Sequence, residues 1–332
     1  MGGRRWAKFA KYLTSLNYSV YVVAVDFPYE GACPWEKDTV SYRENIYRIP
    51  NVEQRPFYQV EKSPRSVFGK IRYRFSWYKD KLIPTIFNED PIDISSKNEN
   101  HLKVLAHTLI REKKIDTVIV TGGPYKWCYE LMNLKRTYPE LKFLLDLRDF
   151  WTGGVYYQGL KPEFQQRENF RETSCMELAD TVFTPAERIV DHLRSRYTEF
   201  EHKVVHLPHA FDQEELPILE SGPMNRDILS FAYAGILYPE MEDTIDQVIQ
   251  LLRGMKNRGI AIRLDLYAFN SAYESRFIEA GLSKEVVYHQ PIPPKQLFER
   301  LSQTDYLLQL RAGLALEQHF KSTIGTPFLV RC

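Results

Sequence analysis

Apolar residues along this chain fall into two rhythms, short continuous runs closed by glycine, proline or charge, and longer stretches spaced by three and four. Runs of the first kind predict buried strands, and those of the second predict helices with one apolar face. Trp6, Phe9, Ala10, Leu13 and Leu16 recur at helical spacing directly behind Gly2-Gly3, so a helix begins at the glycine pair. An apolar strand follows at 19–25, and residues 29–64, mixed in proline, glycine and charge, predict excursions and loops. A helix at 98–113 (Leu102, Leu105, Ala106, Leu109, Ile110) leads into a strand at 117–121, which Gly122-Gly123-Pro124 breaks. The next helix carries Trp127, Leu131 and Leu134, and it precedes a strand at 141–146 and an aromatic, glycine-containing loop at 150–160. A helix at 165–179, a strand at 181–184, a helix opened by Pro185 and a strand at 203–207 complete the first part.

Residues 213–228 are polar and broken by proline and glycine, and they are the best linker candidate. After them the alternation restarts. Strands are expected at 231–234, 263–267, 286–288 and 306–310, with helices at 245–255, 272–280 and 294–302. Strand and helix alternate almost throughout, which predicts an α/β fold of two doubly wound (Rossmann-like) parallel-sheet domains, 1–215 and 216–332.

Composition narrows the class. The 332 residues are 44% hydrophobic and 26% charged, as in globular proteins, and a formal charge of +1 gives no overall drive toward nucleic acid or membrane. No apolar run approaches the roughly 20 residues that span a bilayer. Cys33, Cys128, Cys175 and Cys332 lie far apart without metal-ligand spacing, which suits free thiols in a reducing cytoplasm. One stretch departs from the average: residues 61–82 hold seven Lys or Arg against Glu61 and Asp80, interleaved with Phe68, Tyr73, Phe75, Trp77 and Tyr78. Such a mixture suits a membrane surface or a phosphorylated ligand, and equally an amphipathic helix whose aromatic face joins the core.

The candidate chemistry concentrates where an apolar run, Phe143-Leu144-Leu145, ends in Asp146, Arg148 and Asp149. Ligands of open α/β sheets bind just beyond the carboxyl ends of the strands, so three ionisable side chains there mark a candidate site. The plainer reading is a salt-bridged strand end with Arg148 holding both carboxylates. Asp146 or Asp149 could take a proton as general base with Arg148 fixing the carboxylate, although tight pairing would make a poorer base. His202, His206 and His209 invite a metal reading, but no further ligand is apparent and no metal is expected.

Four pieces in sequence order carry a family resemblance: Gly2-Gly3-Arg4-Arg5-Trp6 with the strand after it; Asp146-Leu147-Arg148-Asp149-Phe150-Trp151; Val204–Asp212 with Pro208-His209; and Tyr233-Ala234-Gly235-Ile236-Leu237-Tyr238. Together they resemble the GT-B-fold glycosyltransferases, specifically glycosyltransferase family 4 of surface-polysaccharide biosynthesis. The resemblance implies sugar transfer from a nucleotide-sugar donor to a glycan or lipid-linked acceptor, with retained anomeric configuration and no cofactor or bound metal. It implies catalytic roles for Asp149, Asp146 and Arg148. Donor contacts would come from Gly235, Ile236, Glu317, Lys321 and Ser322, and acceptor contacts from Gly2, Gly3, Arg4, Gly122, Gly123 and His209. A glycine at 235 would let backbone amides approach a diphosphate, and Lys321 would offset the charge of the leaving group. Lys321 as a solvated surface residue remains the alternative.

The family's first strand would precede Gly2-Gly3, and its closing strands and helix would follow Lys321-Ser322, so the chain is expected to be truncated at both ends. The expected setting is cytoplasmic, with peripheral contact at the inner face of the plasma membrane through 61–82 and no nucleic-acid partner. Two rivals stay open: a nucleotide-sugar epimerase on the same fold, and a non-catalytic membrane-surface scaffold.

Overall fold

The computed structural model describes residues 2–26, 36–50, 99–154, 157, 159–215, 227–238, 241–268, 270–310 and 330–331. It divides into two compact units, Met1–Pro208 and His209–Cys332, against an expected boundary at 215/216. The stretch 61–82 and the residues Glu317, Lys321 and Ser322 lie outside the described residues.

The first unit opens with helix α1 (Gly2–Ser15) and strand β1 (Val22–Asp26). A 3-10 segment (Glu36–Asn45) then leads to β2 (Ile46–Pro50), which pairs parallel with β1. The remaining elements are α2 (Glu99–Lys113), β3 (Thr117–Thr121), α3 (Tyr125–Met132), β4 (Lys142–Asp146), α4 (Pro162–Leu178), β5 (Thr181–Thr184), α5 (Glu187–Arg196) and β6 (Val204–His206). Strands β3, β4, β5 and β6 form a parallel sheet in that order. Sequential parallel strands need helical crossovers, and the apolar stripes of those helices cover the sheet. Phe143, Leu145, Met132, Met176, Val182, Ile189 and Leu193 make its centre. The free thiols of Cys128 and Cys175 are buried there too.

Helix α1 ends where Asn17 takes a left-handed backbone (φ 67°), with the Tyr18 amide returning to the Leu13 carbonyl. Asparagine tolerates that conformation better than most residues, so the chain can stop the helix and turn into β1. Strand β2 falls within a region expected to be loop. Its five residues include Arg48 and end in Pro50, so no clean apolar run announces it, and its order comes from pairing with β1.

The second unit contains β7 (Leu229–Gly235), α6 (Glu242–Asn257), β8 (Ile262–Ala268), α7 (Glu274–Glu279), β9 (Val286–His289), α8 (Pro294–Ser302), β10 (Tyr306–Leu307) and β11 (Val330–Arg331). Its sheet order is β11-β10-β7-β8-β9, with only the β10–β11 pair antiparallel among the described strands. Phe231, Leu264, Leu266, Ile245, Leu252 and Phe277 fill its core. No helix among the described residues is long and apolar enough to cross a membrane. Two Rossmann-like α/β units with parallel sheets agree with the fold class expected from the strand–helix alternation.

Candidate functional site

Strand β4 carries Phe143 and Leu145 into the core and ends on Asp146, whose side chain is fully buried. A buried carboxylate needs compensation, and three side chains from two distant segments supply it. The Trp6 indole donates to Asp146 Oδ2 at 2.7 Å, and the Thr121 hydroxyl donates to the same oxygen at 2.9 Å. Arg5 Nη2 stands 3.6 Å from Oδ1 and also donates to the Leu207 carbonyl at 3.0 Å. Burial lowers the Arg5 pKa, Asp146 opposes that shift, and the nearby Arg148 adds to it. Helix α1 and the ends of β3 and β4 thus converge on one carboxylate at the carboxyl crest of the sheet, with the Leu207 carbonyl after β6 holding Arg5.

The glycine pair after β3 belongs to the same crest. The Gly122 amide donates to the Asp146 carbonyl at 2.8 Å, and the Gly122 carbonyl accepts from Arg148 Nη2. A Cβ at Gly122 would lie 2.7 Å from the Tyr125 ring. Gly123 has φ +76°, a conformation that L side chains rarely adopt. The expectation that Arg148 holds Asp146 and Asp149 is therefore corrected. The cation beside Asp146 is Arg5, while Arg148 Nη2 donates to the Gly122 carbonyl.

Asp149 is exposed, one residue further along the loop. Its carbonyl accepts from the Tyr125 phenol at 3.2 Å, and the Phe150 carbonyl is 3.4 Å from the same hydroxyl. Burial, reinforced by Asp149, pushes the Tyr125 pKa well up, so the phenol keeps its proton and remains a donor. Asp146 and Asp149 have different surroundings: one carboxylate is locked inside the crest, the other is open to a ligand.

Of the other acceptor-side candidates, Gly2 opens α1 and Gly3 has open space where a Cβ would stand. Arg4 neighbours the crest in sequence, but Arg5 is the residue that reaches Asp146. His209 is exposed and begins the second unit. His202 and His206 are also exposed, and His206 Nε2 lies 3.1 Å from the Pro185 carbonyl.

In the second unit the strand order reverses between β7 and β10, the switch point beside which ligands of doubly wound sheets bind. Gly235 and Ile236 lie at the carboxyl end of β7, at that point. Here the glycine makes room for a neighbour: the Tyr233 phenol, donating to the Ile236 carbonyl at 2.9 Å, would stand 2.6 Å from a Cβ on Gly235. Burial raises the Tyr233 pKa to about 12. The first turn of α6 is acidic, with Glu242 and Asp243; Arg276 pairs with Glu242 at 3.1 Å and with Asp246 at 2.5 Å.

One polar cluster had no forerunner in the sequence reading. Arg263 grips Asp265 through two 2.8 Å bonds, His289 Nε2 lies 2.5 Å from Asp265 Oδ1, and the Tyr267 and His289 rings stack 4.5 Å apart. Burial would raise the Asp265 pKa, but the bonds from Arg263 and His289 outweigh it and hold the pKa down. The period-two placement of Arg263, Asp265 and Tyr267 on one face of β8 was the available signal.

No family model matches the sequence, and no curated protein matches it. Solved structures do. A glycosyltransferase from Rickettsia africae superposes over 92% of this chain and 68% of its own, with a TM-score of 0.56 at 13% identity. The chain has the GT-B glycosyltransferase fold. A sucrose-phosphate synthase from Thermosynechococcus elongatus matches over 69% of this chain and 60% of its own, with a TM-score of 0.49 at 12% identity. A UDP-N-acetylglucosamine 2-epimerase matches over 68% of this chain and 61% of its own, with a TM-score of 0.41 at 12% identity. The chain thus spans between 60% and 68% of the length of these neighbours.

Proposed function

We propose that the chain belongs to a glycosyltransferase that moves a sugar from a nucleotide-sugar donor to a glycan or lipid-linked acceptor in cell-surface polysaccharide biosynthesis. The observation that carries this reading is the crest of the first unit. Arg5, Trp6, Thr121, Asp146 and Arg148, far apart in sequence, meet there at the carboxyl ends of parallel strands in a GT-B fold. Fold alone does not assign an activity, and the site supplies the chemistry.

In this reading the first unit takes the acceptor and the second takes the donor, with Gly235 and Ile236 at the strand-order switch beside the diphosphate. Lys321, Ser322 and Glu317 are proposed donor contacts on the resemblance alone. The exposed Asp149 carboxylate accepts the proton of the acceptor hydroxyl as its oxygen bonds to the anomeric carbon on the face from which the diphosphate departs, and the sugar–phosphate bond breaks with its electron pair leaving on the diphosphate. Asp146, with both oxygens enclosed, orients Arg5, Trp6 and Thr121. Gly2, Gly3, Arg4, Gly122, Gly123 and His209 are the proposed acceptor-side neighbours. Retention of configuration, independence of metal or cofactor, a cytoplasmic setting and peripheral membrane contact through 61–82 complete the proposal.

Calorimetric titration with UDP, GDP and ADP tests the donor half, and sugar transfer to lipid-linked or oligosaccharide acceptors tests the whole. Binding of one nucleotide, followed by transfer that Asp149→Ala abolishes without loss of nucleotide binding, supports the reading. Release of epimerised sugar without an acceptor would replace it with the epimerase alternative. Salt-sensitive liposome binding without nucleotide binding would replace it with the scaffold.

A further inference from the structure

The loop after β4 is held from beneath by two acidic side chains that the crest itself does not use. Glu168 and Glu172 lie one helical turn apart on α4, and each is only 1% exposed. Glu168 Oε2 accepts from the Trp151 indole at 3.1 Å, and its other oxygen meets Arg171 Nη1 at 2.5 Å and Arg167 Nε at 3.4 Å. Glu172 Oε2 accepts from the Thr152 hydroxyl. Trp151 and Thr152 are the second and third residues after Asp149, and the Trp151 ring stacks 4.8 Å from that of Tyr125. The Tyr125 phenol in turn binds the carbonyls of Asp149 and Phe150.

Two buried carboxyl groups are a costly way to fill space, since well-packed apolar side chains of similar size often do as well or better. What they supply that apolar side chains do not is a directional bond to Trp151 and to Thr152. We propose that Glu168 and Glu172 are positioning residues that grip Trp151 and Thr152 and thereby set the backbone presenting Arg148 and Asp149. The inference rests on the glycosyltransferase reading for the use of that loop, and on the hydrogen bonds within the first unit for the grip itself.

Three substitutions in the full chain test it. Glu172→Met keeps the volume and removes the acceptor; Glu172→Gln keeps an acceptor for Thr152; Trp151→Phe removes the indole donor and leaves Glu168 with its arginines. Amide hydrogen exchange of the 147–154 segment, phenylglyoxal labelling of Arg148 and urea midpoints are measured for each. Glu172→Met and Trp151→Phe are expected to speed exchange about 3- to 10-fold, the worth of one ordinary hydrogen bond, and to speed Arg148 labelling. Glu172→Gln is expected to match the unsubstituted chain in exchange and labelling, and the Glu172→Met urea midpoint to stay level or rise. With a working transfer assay, Glu172→Met should raise the acceptor KM or lower kcat several-fold with the donor KM unchanged.

Exchange and labelling that do not change in Glu172→Met, or that rise equally in Glu172→Gln, overturn the grip. Faster exchange with transfer kinetics unchanged overturns the positioning role. A chain without any transfer activity counts against the glycosyltransferase reading, while the exchange and labelling results still decide the grip.

Discussion

Replacing Asp146 with Asn tests the central claim about the crest, that this carboxylate is a buried anchor. The side chain is fully buried and receives hydrogen bonds of 2.7 Å from Trp6 and 2.9 Å from Thr121, with Arg5 at 3.6 Å and 7% exposed. The Asn carbonyl can still accept from Trp6 and Thr121, but as a neutral acceptor it loses about 1 kcal/mol on each bond. Its amide then turns toward Arg5 and leaves that cation without its counter-charge; breaking a buried pair from one side costs about 3–5 kcal/mol. The two contributions overlap, because both count the same lost charge, and the Leu207 carbonyl still serves Arg5. A net loss of about 3 kcal/mol follows, against about 0.5 kcal/mol or less for the exposed Asp149→Asn. All five tryptophans lie before residue 209, so tryptophan fluorescence in a urea titration reads the unfolding of the first unit alone. A loss under about 1 kcal/mol for Asp146→Asn, or equal losses for the two variants, would refute the anchor.

Glu172 gives a prediction with a defined sign. Burial raises its pKa, so the folded chain keeps a proton that the unfolded chain releases, and stability falls as pH rises above about 4.3. Glu172→Gln should therefore gain on the unsubstituted chain as pH rises through that window, by up to about 1.4 kcal/mol per pH unit; urea titrations giving a constant difference would exclude it. Gly235→Ala drives a methyl group to 2.6 Å from the Tyr233 phenol, and thermal unfolding should show the second unit destabilised by about 1–3 kcal/mol, partly relieved by Tyr233→Phe. No relief in the double variant would mean that the phenol is not what the glycine accommodates. Lys321→Ala is expected to weaken donor binding in the calorimeter, and an unaltered affinity would return Lys321 to the solvated surface.

The chain order by itself determined the class of fold. Apolar runs such as 143–145 and 231–233 are long enough only for strands, and the helical spacing between them demands parallel crossovers, so two α/β units follow from local periodicity. The carboxyl end of β4 was legible for the same reason, because a buried strand that ends in three ionisable residues breaks its own pattern. Periodicity did not determine partners. Trp6 and Asp146 are 140 positions apart, and only the packing of α1 against the crest brings the indole to the carboxylate. Nor could sequence spacing choose between Arg5 and Arg148 as the cation beside Asp146; the packing of α1 brings Arg5 there, while Arg148 donates to the Gly122 carbonyl. Strand β2 and the reversal of order between β7 and β10 were equally out of reach, since a strand's neighbours are set by crossovers that local patterning does not encode. Local patterning fixes which residues are buried and in what element; which buried groups meet depends on how the elements are stacked, and that is a property of the tertiary structure alone.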